Sequence, residues 1–420
     1  MPKQRLLIYA HYYAPDVAST GQILQDMAEG MRNDFDITVI CTVPSYIGTI
    51  EEKYKEKKLY REEINCIHVL RVPVPEFSKS SKASRIKNLW AYFWGARKAT
   101  KECGLQDYVF TISQPPIMGG ILGVYGKKKL NAKLVYCIQD FNPEQIEATG
   151  YIGLKPLMRI ARWLDNRSCR KSDLVITVGR DLDETLKKRF SGRNVPKHTM
   201  INNWIDEKEI YPLPADHPGV VEFKRKYGLA DQFVIMYSGN IGLYYDLEGL
   251  IKVIEKFKDA KTPDGREVVF AFVGAGSILD KLVTYVKEKK MENTVFIPYQ
   301  DKDKLIYSLN AADVHWCVNA KGIKGVSCPS KFYGIAGVGK PVLAVLENGS
   351  EVEMLIHEIG CGKCSEPGDY GAVEKNIRWF IDNAGSDVLA EMGRQGHVYL
   401  VGHLTKGISI EKYKAFISSL

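Results

Sequence analysis

Short apolar runs recur along the chain and alternate with longer stretches whose apolar residues follow a helical period. Short apolar runs bounded by turn residues are typical of buried strands. In the first half we expect strands at 5–11, 35–41, 67–72, 108–113, 133–138, 174–178 and 199–201. In the second half we expect them at 233–238, 268–273, 294–297, 314–318 and 342–345. Apolar strands separated by helices predict parallel sheets that are covered on both faces. We therefore predict the α/β class.

The two series of strands are separated by a polar stretch at 207–227 that contains three prolines. A chain of 420 residues is long enough for two or three domains. We predict a first domain at 1–205, completed by a C-terminal helix at 405–420, and a second domain at 206–404. No apolar segment is long enough for a signal peptide or a membrane span. The cysteine count of nine is odd and no export signal is evident, which predicts reduced thiols in a cytoplasm. We interpret the CGKC pair at 361–364 as structural.

Positive charge is concentrated in the first half. Residues 1–200 contain 32 Lys and Arg against 21 Asp and Glu, a net +11, whereas the other 220 contain 26 against 29. This asymmetry predicts an anionic partner for the first domain. The segments 79–101 and 151–171 combine basic residues with aromatic ones at helical spacing, as helices at membrane interfaces do. For either segment alone, an ordinary helix covering the sheet is the alternative. The expected membrane or acceptor face comprises Trp90, Trp94, Arg97, Lys98, Arg159 and Arg162. We expect no nucleic-acid partner, since no nucleic-acid module is recognisable.

Three loops of the second half combine features that suit a phosphate. SGNIG at 238–242 and GAGS at 274–277 each follow a predicted strand, where parallel sheets bind ligands. In CPSKFYG at 328–334, Ser330 can cap a short helix and Lys331 lies in its first turn. A solvated lysine on an ordinary helix–strand connection is the alternative for this loop alone. Together the three loops predict a site for a nucleoside diphosphate. The absence of a Walker motif argues against phosphoryl transfer from ATP.

Two loops of the first half are further candidates. Ser19-Thr20-Gly21 lies at a helix entrance, where Gly21 would let a ligand approach the backbone closely, although a simple helix cap is equally compatible with it. Asp140 leaves the end of the strand 133–138, where a carboxylate can act on a bound hydroxyl. Glu144 is compatible with the same role or with a helix first turn.

In their order and placement these motifs resemble those of a known family. SGNIG, FVGAG (272–276), NAADV (310–314) and PSKFYGIAGVGKPVLA (329–344) are similar to motifs of family 4 retaining glycosyltransferases of the GT-B fold. YYAPDVASTGQ and CIQDFNPE resemble pieces of bacterial enzymes of the O-antigen or capsule N-acetylfucosamine type. The resemblance implies two Rossmann-like doubly wound domains that face each other across a cleft. The second would bind a nucleotide sugar and the first an acceptor.

The resemblance also implies roles for individual residues. Lys331 would neutralise the departing diphosphate, and Asp140 would contact the acceptor or the transferred sugar. Donor contacts are expected from Gly21, Gly239, Asn240, Gly242, Gly274, Tyr299, Ser330 and Glu351. The sequence departs from the family pattern at Gly334 and Val326, where many members have glutamates, one of which holds ribose hydroxyls.

The function that the resemblance implies is transfer of a sugar, expected from a UDP donor, to a lipid-linked or polysaccharide acceptor in bacterial surface glycan synthesis. We expect no obligatory metal and no cofactor besides the donor. We expect a cytoplasmic protein that is peripheral on the inner face of the cell membrane. Two alternatives are a nucleotide-sugar epimerase of the same fold and a non-catalytic subunit of a polysaccharide assembly complex.

Overall fold

The computed structural model describes residues 3–16, 19–78, 81–148 and 155–420. Within these ranges the chain forms two α/β units, one built on an eight-stranded sheet and the other on a six-stranded sheet. This arrangement confirms the predicted α/β class with two parallel-sheet domains.

The sheet of the first unit has the order β3-β4-β2-β1-β5-β6-β7-β8. Its strands are β1 (Gln4–Tyr9), β2 (Phe35–Thr42), β3 (Tyr60–Ile64), β4 (Ile67–Val72), β5 (Tyr108–Ile112), β6 (Lys133–Ile138), β7 (Leu174–Thr177) and β8 (His198–Met200). All neighbours pair in parallel except β3, which is antiparallel to β4 at one edge. No apolar run marks β3 in the sequence, because its residues, YREEI, are mostly polar, as suits an edge strand.

The helices of this unit are α1 (Ser19–Met31), α2 (Lys82–Ala99), α3 (Met118–Leu130), α4 (Glu144–Ala148), α5 (Lys155–Lys171) and α6 (Arg180–Arg189). Helix α3 packs against both α2 and α5. Asn131 ends α3 in the left-handed conformation, at φ 53°, which asparagine tolerates better than most residues. The basic segments expected at 79–101 and 151–171 thus become α2 and α5, although residues 79–80 and 151–154 lie outside the described ranges.

The sheet of the second unit has the order β11-β10-β9-β12-β13-β14, with every neighbour parallel. Its strands are β9 (Phe233–Ser238), β10 (Val268–Val273), β11 (Thr294–Ile297), β12 (Val314–Val318), β13 (Val342–Val345) and β14 (Gly362–Ser365). The first five have the bounds that their apolar runs predict. The sixth was missed because GKCS has no apolar run, and it includes Cys364 of the CGKC pair.

The helices of the second unit are α7 (Pro218–Lys226), α8 (Leu247–Ile254), α9 (Leu279–Glu288), α10 (Leu305–Asn310), α11 (Lys331–Gly337), α12 (Glu351–Ile359), α13 (Tyr370–Asp382) and α14 (Asp387–His403). The final helix, α15 (Lys406–Ser418), returns to the first unit. Ile410, Tyr413 and Ile417 belong to the hydrophobic core beneath the first sheet, and Lys414 forms an ion pair with Asp34 at 2.8 Å. None of the described helices combines the length and apolar character that crossing a bilayer requires.

The two units meet at the carboxyl ends of their sheets. The Phe141 N–H donates to the Val326 carbonyl at 2.8 Å, and Asp140 forms a β-bridge with Ser327. The Gly325 N–H donates to the Asp181 carboxylate at 2.8 Å. The loop after β6 and the first turn of α6 therefore contact the segment that leads into α11, at the junction of the two units.

Candidate active site

A cavity of about 230 Å³ lies at the carboxyl ends of β9 and β10, beside His315 and Trp316 of β12 and against the beginning of α11. Five of the predicted donor residues line it, namely Gly239, Gly274, Tyr299, Ser330 and Lys331. We call it the first cavity. It lies where open parallel sheets bind ligands, beyond the strand ends.

The glycines of this cavity provide space. Gly239 and Gly274 both have φ of +143°, a conformation that side chains disfavour. A Cβ atom on Gly239 would lie 2.6 Å from Lys331 Cε, and one on Gly274 would lie 2.0 Å from the Gly239 carbonyl oxygen. Their N–H groups already donate to Val273 O and Ile297 O, each at 2.9 Å. These two residues therefore let the lysine and the loops approach closely, and their own amides are occupied.

Lys331 projects across two tyrosine rings. Its Nζ lies 3.7 Å from the ring centroid of Tyr245 and 5.1 Å from that of Tyr237, distances that favour a cation–π interaction. No carboxylate in the described ranges forms an ion pair with it. The cap expected from Ser330 is absent, since its side chain makes no capping hydrogen bond. The charge of Lys331 is thus held in place by aromatic faces and left available to an anion.

Of the other predicted donor residues, Gly21, Asn240 and Gly242 do not line the first cavity. The Asn240 carbonyl accepts a 2.5 Å hydrogen bond from the Tyr237 hydroxyl, and a Cβ on Gly242 would lie 2.9 Å from Asn240 Nδ2. Tyr299 is 64% exposed, so its ring is free to cover a ligand. Gly21 lies in the first turn of α1, although residues 17 and 18 of the preceding loop are outside the described ranges.

Gly334 leaves space where the family pattern has a carboxylate. It lines the first cavity, and the nearest neighbour of a Cβ built there is Leu309 Cδ1 at 3.5 Å, an ordinary contact. A methyl group would therefore fit there without displacing its neighbours. Nothing in the packing demands glycine at this position.

Glu351 contacts the first domain. Its Oε2 accepts hydrogen bonds from the backbone N–H and from Nε of Arg180, both at 2.8 Å, and its Oε1 accepts one from Asn202 Nδ2 at 2.9 Å. Its side chain is 2% exposed, and it does not line the first cavity. Arg180 also pairs with Glu358 at 2.6 Å. In this conformation Glu351 joins the two domains, through partners that sequence reasoning did not identify.

Asp140 lies at the same junction. Its Oδ2 accepts a 3.3 Å hydrogen bond from Gln114 Nε2. Burial raises the pKa of the Asp140 carboxyl, while hydrogen bonds from Ser327, Gln114 and Gln145 oppose that rise. Burial together with the Asp140 charge raises the pKa of Tyr244, a residue of the second domain. A carboxyl whose ionised form is disfavoured and which faces the other domain is suited to contact a hydroxyl group.

Glu144, the alternative carboxylate, forms structural ion pairs instead. Its side chain pairs with Arg189 and, at 2.9 Å, with Arg162. These cations hold the pKa of the Glu144 carboxyl below its usual range, against the opposing effect of burial. Arg162 also pairs with Glu147 at 2.9 Å, so its charge is compensated within the protein.

The other basic and aromatic residues of α2 and α5 are largely open to solvent. Trp90, Trp94 and Trp163 are 48%, 50% and 58% exposed. Lys98 and Arg159 are exposed as well. The guanidinium carbon of Arg97 lies 4.7 Å from the ring centroid of Trp94 and 4.5 Å from that of Tyr125. Lys98 and Arg159 form no ion pair with a carboxylate of the described residues, in contrast to Arg162, so exposed tryptophans and free cations occur together on these helices.

One group of possible metal ligands occurs in the described ranges. Glu353, His357 and Cys364 bring ligand atoms within 4.8 Å of one another on α12 and β14. None of the three lines the first cavity, so this group is separate from the lysine and glycine loops.

Comparisons with known proteins agree with this geometry. A model of the family described as glycosyl transferases group 1 matches residues 221–397, which include every residue lining the first cavity except Ile205. The probable glycosyltransferase WbjE of Pseudomonas aeruginosa is 25% identical over 352 residues, covering 82% of this chain and 83% of WbjE. The putative colanic acid biosynthesis glycosyl transferase WcaI of Escherichia coli K12 is 24% identical over 389 residues, covering 89% of this chain and 91% of WcaI.

Among solved structures, the chain is similar to HepE of Anabaena, whose crystal structure contains UDP-glucose. The TM-score is 0.68 with 15% sequence identity, covering 99% of this chain and all of HepE. At that identity the similarity concerns the fold, and it covers both units.

Proposed function

The protein is a glycosyltransferase of the GT-B fold with a group 1 domain at residues 221–397, and we propose that it transfers a sugar from a UDP donor with retention of configuration. The proposed acceptor is lipid-linked or a polysaccharide, in bacterial surface glycan synthesis. The observation that carries the proposal is Lys331, an unpaired cation held between glycine loops at the strand ends. The presence of UDP-glucose in the HepE structure and the name of WcaI support the donor and the pathway class.

In the proposed reaction the bond between the anomeric carbon and the diphosphate oxygen breaks, and the electron pair leaves with the diphosphate. Lys331 stabilises the negative charge that develops on the diphosphate, an interaction that is strongest in the transition state. An acceptor hydroxyl oxygen forms the new bond to the anomeric carbon, and the proton of that hydroxyl passes to an oxygen of the departing diphosphate. Asp140 would position that hydroxyl from the first domain. Since Lys331 supplies positive charge at the leaving group, we expect transfer to persist in the presence of a chelator.

We also propose that the protein binds the inner face of the cell membrane through α2 and α5. The exposed tryptophans Trp90, Trp94 and Trp163 suit the lipid headgroup region, and Lys98 and Arg159 suit anionic lipids. A lipid-linked acceptor would then be met at its own membrane.

The proposed function is tested by offering the purified protein a panel of nucleotide sugars. We expect a UDP-sugar to raise the melting temperature, because a ligand that binds only the folded state stabilises it, and to be hydrolysed slowly to free UDP when no acceptor is present. Binding without release of nucleoside diphosphate would favour a non-catalytic subunit. Conversion of one nucleotide sugar into its epimer would favour the epimerase alternative.

A further inference from the structure

A second cavity, of about 330 Å³, lies at the carboxyl end of the first sheet. It forms where the loop after β1 and the segment before α2 meet the loop after β5. His11 and Tyr12 line it from the first of these, Phe77 from the second and Gln114 from the third, with Arg85 of α2 at one side. We call it the second cavity. Arg85 lies in the segment 79–101 that the sequence marked as basic and aromatic, and none of the four other residues was a predicted site residue.

The second cavity adjoins Asp140. Gln114 and Gln145 both line it, and both donate hydrogen bonds to the Asp140 carboxylate. Asp140 is also bridged to Ser327 of the second domain. Only the side chains of Gln114 and Gln145 would therefore separate a ligand in the second cavity from Asp140, at the junction with the second domain.

The lining has a definite chemical character. It contains three side-chain amides, those of Asn88, Gln114 and Gln145, and no carboxylate. Amides donate and accept hydrogen bonds, as sugar hydroxyls require. Tyr12 and Phe77 add ring surface, on which the C–H faces of a sugar ring can pack. This combination favours a carbohydrate over a cationic ligand.

Arg85 adds one positive charge at the edge of the cavity. No carboxylate among the described residues forms an ion pair with it, and it is exposed. A guanidinium matches the geometry of a phosphate group and can bind it with two hydrogen bonds. His11 adds no charge at neutral pH, since burial lowers its pKa to about 4. Its ring packs against Tyr12 and Tyr92, with centroids at 4.0 Å and 4.9 Å.

The position of the cavity on α2 relates it to the membrane face. Arg85 and Leu89 of this helix line the cavity, and the next residue, Trp90, is 48% exposed. A phosphate held by Arg85 would therefore lie close to the exposed tryptophans. A lipid attached to that phosphate could extend along them.

We propose that the second cavity binds the acceptor as a glycosyl phosphate. The sugar lies against Tyr12, Phe77 and the amides, and its phosphate pairs with Arg85. The proposal rests on the proposed glycosyltransferase function, which it deepens by naming the chemical class of the acceptor. Free sugar phosphates and the headgroup of a phosphate-linked glycolipid share this chemistry.

The test measures binding of small probes to the full-length protein in the presence of UDP. The probes are the 1-phosphates of glucose, galactose and N-acetylglucosamine, with glucose and inorganic phosphate as partial ligands, followed by ligand-observed NMR. We expect a glycosyl phosphate to bind more tightly than either partial ligand. Arg85→Gln should weaken it by about tenfold or more, because it removes charge-assisted hydrogen bonds. The matched control, Lys87→Gln, removes one charge from the same helix outside the cavity and should leave binding within about twofold.

A second variant tests the sugar half separately. Phe77→Ala removes a ring face and should reduce the preference for glycosyl phosphate over inorganic phosphate, while Arg85→Gln should weaken binding of both. Failure of all three glycosyl phosphates to bind, or equal affinity in Arg85→Gln and the unaltered protein, would overturn the proposal. Circular dichroism spectra verify that each variant is folded.

Two further readouts separate related outcomes. Release of UDP from the donor without acceptor is measured in the unaltered protein and in the control Lys87→Gln, and its absence from both counts against the proposed function and not against the cavity. Addition of vesicles containing an isoprenyl-phosphate-linked sugar distinguishes the lipid source. If the protein binds these vesicles more tightly than the free sugar phosphate, and Arg85→Gln weakens that binding, the ligand is a lipid headgroup. Vesicle binding that Arg85→Gln leaves unchanged would contradict the role given to Arg85.

Discussion

The two cavities lie at equivalent places, the carboxyl ends of two parallel sheets, but they are built from different parts of the chain. Glycine loops and one lysine shape the first cavity, where a Cβ at Gly239 or Gly274 would collide with its surroundings. Side-chain amides, aromatic rings and one arginine shape the second. The first cavity thus depends on close backbone approach, and the second on the identity of its side chains.

This difference matches what each cavity is proposed to bind. A diphosphate is the same in every nucleotide donor, so a site that holds it can be made from short glycine loops that recur in many proteins. An acceptor differs from one enzyme to the next and has to be selected by particular side chains. Four predictions test this contrast.

Lys331→Ala should have the largest effect. Removing the cation that stabilises the leaving diphosphate should lower the rate of sugar transfer about 100- to 1,000-fold, typical of a lost transition-state contact. The measurement is release of UDP with and without acceptor, and both should fall together. Lys252→Ala, an exposed lysine of α8 in the same domain, is the control. An unchanged rate in folded Lys331→Ala would remove the main support for the first cavity.

Gly239→Ala tests whether the first cavity depends on backbone approach. The new methyl group would meet Lys331 Cε, and the φ of +143° would be strained, so the free energy of unfolding should fall by about 1–3 kcal/mol. Activity should fall as well, because Lys331 is displaced. Gly192→Ala is the matched control, since Gly192 has φ of +65° and no atom within 4 Å. It should lose stability but retain activity; equal losses of activity in both variants would argue against a specific contact.

Membrane binding tests the surroundings of the second cavity, with a smaller effect. Lys98→Gln and Arg159→Gln should each reduce co-sedimentation with anionic vesicles about fivefold, since one basic residue near the surface contributes about 1 kcal/mol. Arg162→Gln should change it much less, because Glu144 and Glu147 already compensate that charge. Equal effects of all three substitutions, or binding that is insensitive to anionic lipid, would contradict the proposed face.

Asp140→Asn tests the environment of the Asp140 carboxyl through the pH dependence of stability. The expected effect is the smallest of the four, and its direction follows from the raised pKa. Burial raises the pKa of Asp140 in the folded protein, so the folded state retains a proton that the unfolded state releases above about pH 4. The free energy of unfolding therefore falls as pH rises from that value through the raised pKa, and the loss persists above it. The asparagine side chain does not ionise. The free energy of unfolding of Asp140→Asn minus that of the unaltered protein should therefore increase as pH rises across that window and then stay constant. Melting temperatures of both proteins against pH measure this, and a pH-independent difference would contradict the assignment.

Much of the fold was predictable because its signals are local. Five strands of the second sheet are apolar runs with the predicted bounds, since strands buried on both faces require such runs. The edge strands β3 and β14 are polar and lack such runs, so they were not predicted. The loops around Gly239, Gly274 and Lys331 were also predictable, because each follows a strand or precedes a helix within a few residues, and the topology of a parallel sheet brings such loops together.

The sequence by itself thus determined the α/β class, the glycine loops and the candidate lysine, all of which depend on neighbouring residues. Tertiary structure decided which side chains meet across long separations. It joined Glu351 to Arg180 and Asn202 of the other domain, compensated the charge of Arg162, and assembled the second cavity beside Asp140. Those contacts arise from packing between elements that lie far apart in the chain, and no local pattern of residues specifies them.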